Sequence, residues 1–117
     1  MLNPTCIFCK IIQRTIPSTI IQENDNVLVI QDRTPKAPTH YLILPKKHID
    51  MVTTLTPTDA LYSSALLDMA QTLGNTLPSK AFNLVINNGA AAGQSVFHLH
   101  MHFLAGKSIY DESGIRL

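Results

Sequence analysis

Three of the chain's five histidines occupy alternate positions of one short segment, His98-Leu99-His100-Met101-His102-Phe103-Leu104. Side chains of a β-strand alternate between its faces, so a strand here sends His98, His100 and His102 to one side and Leu99, Met101 and Phe103 to the other. The segment predicts a sheet with one apolar face, suited to a covering helix, and one face carrying a row of imidazoles about 7 Å apart, two strand rises each. A lone histidine is usually an ordinary half-buried residue. Three in strict alternation pack poorly and repel one another when charged, so a structural role explains little, and the row reads as a functional site.

The rest of the chain supplies the sheet. Ser18 to Glu23 and Val27 to Gln31 are β-prone runs on either side of the turn-forming Asn24-Asp25-Asn26, a hairpin pattern. His40 to Pro45, Phe82 to Asn87 and Val96 to Leu104 read as three more strands. Ile7 to Arg14 reads as a short helix with Ile7, Phe8, Ile11 and Ile12 on one stripe, ended before Pro17. A long amphipathic helix starts at Thr56-Pro57 and runs through Leu61, Ala65, Leu66, Met69 and Leu73 to about Leu77, with Gly74 a point of fraying. Five mostly consecutive strands with one long and one short helix predict an α+β fold, an antiparallel sheet covered on one face by the long helix. The sequence has no βαβ alternation and no phosphate-loop string, which disfavours a parallel nucleotide-binding sheet.

Length and charge narrow the partners. The 117 residues suit a single domain, 1–117, with a core from about 6 to 106 and a tail, 107–117. Nine Lys/Arg against eight Asp/Glu leave a net charge of +1, too little to hold nucleic acid by bulk electrostatics, though a local cluster can meet a single nucleotide. Apolar stretches of about five residues fall far short of the roughly 20 a membrane span needs. The start, Met1-Leu-Asn-Pro-Thr, carries no secretory pattern, and two cysteines only three positions apart cannot staple distant segments. The expectation is a reduced, cytoplasmic protein.

The chemistry follows from residue types. Imidazole serves as nucleophile, proton carrier and metal ligand near neutral pH. Just before the histidine segment, Asn87-Asn88-Gly89-Ala-Ala-Ala-Gly93-Gln94-Ser95 offers glycines that let amides turn inward and neutral side-chain donors, an anion cradle. A Gly-rich loop is also a common hairpin connection; beside three aligned histidines it suggests phosphoryl or nucleotidyl transfer, with the flanked His100 as nucleophile. Asp32 either accepts hydrogen bonds from ribose hydroxyls or caps the turn ahead of Thr34-Pro35. His40 either faces the same pocket or is exposed. Cys6-x-x-Cys9 lacks the βαβ setting of a redox pair and makes half of a tetrahedral zinc site, for which His48 and His98 are the candidate completing ligands; otherwise it is a reduced pair that packs.

The segment His98 to Leu104 resembles the histidine triad (HIT) motif, His-φ-His-φ-His-φ-φ with φ apolar. The likeness extends through Cys6-Ile-Phe-Cys-Lys-Ile-Ile12, Ile16-Pro17, Asp32, Pro35-Lys-Ala-Pro-Thr-His40, Pro45-Lys-Lys-His48 and Gly93-Gln-Ser95, which are similar to the Hint branch of nucleoside-phosphoramidate hydrolases. It covers about 6 to 106. The resemblance implies a homodimer whose two five-stranded sheets join, and hydrolysis of purine nucleoside 5′-phosphoramidates to AMP-type nucleotides through a nucleotidyl-histidine. It implies His100 as nucleophile, His98 and His102 flanking it, and His40 reaching in from the neighbouring strand. Ser95, Gln94 and Gly93 would lie by the phosphate, with Ser95 giving a proton to the leaving amine, Asn87 holding the phosphate or ribose and Asp32 the ribose hydroxyls. Ile7, Phe8, Ile11 and Leu42 would line the base pocket. The resemblance also implies a structural zinc on Cys6, Cys9, His48 and His98, in which case His98 orients the strand; the histidine chemistry itself calls for no metal at the phosphate. Arg33 departs from the family, where an aliphatic residue usually follows the Asp, and the tail lacks the tryptophan-bearing end of animal relatives. Two other readings stay open: a dinucleoside polyphosphate hydrolase of the same family, and a non-catalytic nucleotide- or partner-binding protein.

Overall fold

The computed structural model describes residues 2–113, 115 and 117. Its elements are α1 (Ile7–Ile12), β1 (Ile20–Glu23), β2 (Val27–Gln31), β3 (Thr39–Pro45), α2 (Ala60–Asn75), β4 (Asn83–Val85), β5 (Met101–Ala105) and the single turn α3 (Tyr110–Ser113). The five strands form one antiparallel sheet in the order β1-β2-β3-β5-β4, so the chain crosses over through α2 and then slots β5 between β3 and β4. The expected α+β architecture is the observed one. Among the described residues no helix is long and apolar enough to cross a membrane.

Alternation sorts β5 as expected. Leu99, Met101 and Phe103 pack with Val27, Val29 and Ile43 beneath Ala65, Leu66, Met69 and Leu73 of α2. Each such buried Leu- or Phe-sized side chain contributes about 1.5–3 kcal/mol, and this face holds the larger of the two buried clusters. The opposite face is not left to the imidazoles alone. Leu28 and Ile30 of β2 and Leu42 and Leu44 of β3 bury against Phe8 and Ile11 of α1, which explains why β2 is apolar at four successive positions.

The element boundaries are tighter than the pattern suggests, for local reasons. β5 starts at Met101 rather than Val96, because the Leu99 amide donates to the Ile49 carbonyl at 2.6 Å instead of to a strand neighbour. His98 and His100 thus precede the strand, yet keep its alternation. β4 pairs with β5 only from Asn83–Leu104 to Val85–His102 and is correspondingly shorter than Phe82 to Asn87. α1 ends at Ile12, two residues early, with Arg14 beyond it in the left-handed region (φ 64°). β1 covers Ile20–Glu23 of the expected run from Ser18, and the Asn24 side chain closes the hairpin by accepting from the amides of Asn26 and Val27. At the start of the long helix, Pro57–Asp59 is a 3-10 turn, and the Asp59 carboxylate accepts from the Thr56 amide and hydroxyl, both at 3.0 Å. Gly74 is not a fraying point: it is buried, and a Cβ there would overlap the ring of Phe82. Beyond β5 the Ile109 amide donates to Asn83 Oδ1 and ties the tail to β4.

Candidate active site

The register across β2, β3 and β5 sets Ile30 beside Leu42 and Leu42 beside His102, one row on the face covered by α1. Over this row lies a cavity of about 320 Å³, within the range of small-molecule sites. One side is apolar, made by Ile7, Phe8 and Ile11 of α1 with Ile30 and Leu42 of the sheet. The other is polar: Asp32 and Arg33 at the end of β2, then Asn87, Gly93 and Ser95 from the loop before the histidines, and His100 and His102. Nearly every residue assigned to nucleotide binding from the sequence therefore meets in one place.

Six assigned residues do not line it, among them Cys6 and Cys9. Gln94 is buried and turned inward, its amide nitrogen donating to the Asp50 and Val96 carbonyls (2.8 and 3.0 Å) and its oxygen accepting from the Gly89 amide (2.8 Å). The amides of Ala92, Gly93 and Gln94 also bond back within the loop. Four of the loop's amides and the Gln94 side chain are thus spent within the fold, which narrows the backbone-amide cradle its composition suggests. Gly89 and Gly93, at φ 88° and 96°, make its sharp turns possible. His40 is buried behind His102, and His48 and His98 belong to a separate cluster.

Hydrogen bonds to groups with a fixed role settle the tautomer of each imidazole. His100 Nδ1 lies 2.7 Å from the His98 carbonyl, which only accepts, so Nδ1 carries the proton and Nε2 keeps its lone pair. The Lys36 amide, which only donates, reaches His40 Nδ1 at 3.0 Å, so His40 is protonated on Nε2. That N–H donates to His102 Nδ1 at 2.9 Å, with Asp32 Oδ2 3.4 Å away, and leaves His102 with its proton on Nε2. The outcome is a bare nitrogen on His100 beside an N–H on His102, their ring centroids 5.3 Å apart. Burial holds His102 down to about 4, helped by the neighbouring His100 and His40, and burial lowers His100 and His40 as well. All three are neutral at pH 7, as this arrangement requires.

The second cluster brings donor atoms of Cys6, Cys9, His48 and His98 within 4.8 Å of one another. His98 donates from Nε2 to the Pro45 carbonyl (2.9 Å) and His48 from Nε2 to Asp50 Oδ1 (2.8 Å), so both turn bare Nδ1 atoms towards the sulfurs. The S···N separations are 3.3–3.5 Å. Tetrahedral zinc with ordinary Zn–S and Zn–N bonds requires an edge of about 3.6 Å, so the donors fit that ion, and the carboxylate and carbonyl behind the imidazoles are the usual outer partners of metal-bound histidines. Burial pushes the Cys9 thiol up and holds His98 down to about 4. Asp32, His40 and His102 also lie within 4.8 Å of one another, but there the donors satisfy each other.

Several contributors have no side-chain signal. The Lys36 amide and the Pro45 and His98 carbonyls are backbone groups. Ser18, Gln31 and Val96 reach the cavity only through the chain's path. Ile30 was accessible to pattern, since it shares a face with Leu28 and stands opposite Leu42.

Comparison with known proteins agrees with this geometry. The HIT domain family matches residues 13–109. An HIT-like protein of Synechocystis sp. is 45% identical over 102 residues, covering 86% of this chain and 90% of that one. The crystal structure of a HIT family hydrolase from Legionella pneumophila superposes with a TM-score of 0.86 at 37% identity, over 92% of this chain and 98% of that one. A zinc-bound histidine triad family protein from Mycobacterium smegmatis superposes with a TM-score of 0.76 at 30% identity, over 97% and 83%.

Proposed function

The chain belongs to the HIT domain family, and on that premise we propose that it is a nucleotide hydrolase cleaving the P–N bond of purine nucleoside 5′-phosphoramidates through a nucleotidyl-histidine on His100. The observation that carries this reading is the bare Nε2 of His100, held by the Nδ1–H bond to the His98 carbonyl at the wall of a cavity with one apolar and one polar side. The apolar side suits a purine, and the Asp32 carboxylate suits ribose hydroxyls. The phosphate then lies among His100, His102, Asn87, Gly93 and Ser95.

In this mechanism Nε2 of His100 attacks the α-phosphorus as the P–N bond breaks, and Ser95 gives its hydroxyl proton to the departing amine. The imidazole gains positive charge, which the Nδ1–H bond to the His98 carbonyl stabilises. Water then attacks phosphorus and returns a proton to Ser95, the P–Nε2 bond breaks, AMP leaves and the lone pair returns to Nε2. The Nε2–H of His102 faces the oxygens on which charge builds, and fixed donors of this kind are worth about 10²–10³ in rate each. Gln94 and His40 act through the groups they hold. His98, assigned to catalysis from the sequence, contributes its carbonyl.

The same reading puts a structural zinc on Cys6, Cys9, His48 and His98, supported by the donor separations and by the zinc-bound M. smegmatis relative. When bound, the ion cross-links α1 to the sheet. It also includes a homodimer joined into one sheet: β4 is a sheet edge, and Leu61 and Leu67 stand exposed on α2. Turnover of adenosine 5′-phosphoramidate tests the activity. Release of AMP and ammonia, reduced at least about 10⁴-fold in His100→Ala, is the expected result. A folded wild-type protein that binds AMP and releases no ammonia overturns it.

A further inference from the structure

The four-donor cluster and the cavity share structural members along two routes. The first runs through His98, whose Nδ1 faces the sulfurs while its carbonyl accepts the Nδ1–H of His100. Holding the His98 ring against Cys6 and Cys9 also restrains the residue whose carbonyl fixes the His100 tautomer. The second route is packing. Phe8 lies between Cys6 and Cys9 in the chain, and its ring meets both His98 and His100 edge-on, with centroids 5.9 and 5.1 Å apart.

The wall of the cavity hangs on the same tether. α1 has six residues, far below the length of about 12–15 at which a helix holds itself in water. It is kept in place by the burial of Phe8 and Ile11 and by its cysteines. Cys6 Sγ lies 3.5 Å from His98 Nδ1, and Cys9 Sγ lies 3.3 and 3.5 Å from the Nδ1 atoms of His48 and His98. A thiol is a weak donor, so these contacts alone are a soft anchor for Ile7, Phe8 and Ile11, the apolar wall. Four bonds to one cation would make it stiff.

We propose that the four-donor cluster is a control site for the nucleotide cavity: a thiophilic divalent cation on Cys6, Cys9, His48 and His98 raises the affinity for purine nucleoside 5′-monophosphates, and the nucleotide raises the affinity for the cation by the same factor. This deepens the functional reading above and rests on its nucleotide site and its metal site. Reciprocity is a thermodynamic requirement once the two sites are coupled, and couplings of this kind are about 5–150-fold. The cation acts by holding α1 against the sheet and the His98 carbonyl against His100, so the nucleotide meets a wall and a nucleophile already in place.

The test measures AMP affinity by calorimetry on the full chain, zinc-loaded and zinc-free, under reducing conditions, with near-ultraviolet circular dichroism checking that both are folded. Zinc affinity is measured in parallel by chelator competition, with and without saturating AMP. The expected result is an AMP Kd about tenfold higher without zinc, and a zinc Kd lowered by the same factor when AMP is bound. Equal AMP affinity in two folded metal states overturns the coupling alone. A zinc-loaded protein that binds no AMP overturns the nucleotide reading, and a protein that takes up no zinc overturns the metal site. Should the zinc-free chain unfold, the rate of zinc release to a chelator decides: AMP at a concentration that saturates each protein slows it about tenfold in the wild type, and clearly less in Phe8→Leu, which keeps the ligands and weakens the packing route. A release rate that AMP leaves unchanged overturns the proposal.

Discussion

His98 and His100 stand two residues apart on the same side of the chain, yet one faces a pair of thiols and the other a nucleotide-sized cavity. The difference lies in which ring nitrogen is occupied. His98 donates from Nε2 to the Pro45 carbonyl and turns a bare Nδ1 to the sulfurs; His100 donates from Nδ1 to the His98 carbonyl and turns a bare Nε2 to the cavity. His102 is a third case, its Nδ1 filled by His40 and its Nε2–H left to donate. One residue type thus offers two bare nitrogens in different directions and one N–H within five residues, and the partner of the other nitrogen makes the choice.

Substituting the two neighbours in turn should separate the two regions most sharply. His100→Ala loses turnover by at least about 10⁴-fold while zinc content and the thermal midpoint change little. His98→Ala loses zinc and lowers stability by about 3 kcal/mol, since it empties a fully buried site and orphans the Pro45 carbonyl. Metal analysis and denaturant unfolding beside the phosphoramidase assay decide; equal loss of zinc in both variants would erase the distinction.

His40→Phe should lower kcat by about 10², because His102 then loses the donor that fixes its Nε2–H. His40→Gln, whose amide both accepts and donates, should recover part of that loss. No loss in His40→Phe would show that the His102 tautomer is immaterial.

Acid offers a third comparison. The folded His102 titrates at about 4, below the ordinary 6.5 that an unfolded chain shows. Between these values the unfolded state binds more protons, so stability is full above about pH 6.5 and falls as pH drops towards 4. Urea midpoints at pH 7, 5.5 and 4.5 should decline, and less steeply in His102→Gln; parallel declines would assign the effect to other groups.

The smallest effect belongs to the rim. Arg33 is exposed and is the one Lys or Arg lining the cavity among the described residues. A guanidinium matches the O6 and N7 acceptors of guanine, whereas adenine presents a donor beside N7. Arg33→Ile should lower the GMP-to-AMP affinity ratio by about threefold, much less than a buried bidentate pair would give, because the site is open to water. An unchanged ratio places the guanidinium in solvent.

The amino-acid sequence by itself determined the two faces of β5, because a period of two is a property of any extended chain and survives even where His98 and His100 leave the ladder. Its likeness to the HIT motifs also brought together most of the cavity's lining and the Cys/His cluster, while Ser18, Gln31 and Val96 lie outside that likeness and Gln94 is wrongly included. Only the tertiary structure decided the direction of each group. Gln94 reads as a phosphate ligand by its neighbours, yet its amide finds three backbone partners and turns inward. Gly74 reads as a weak point in a helix, yet its missing side chain is the space that Phe82 fills. The carbonyls of Pro45 and His98 and the amide of Lys36 decide three tautomers, and every residue type carries such groups alike. Which one meets an imidazole is set by the backbone path: Pro45 and His98 meet across 53 positions, and Lys36–His40 and His98–His100 meet through the turn of the chain beside each strand.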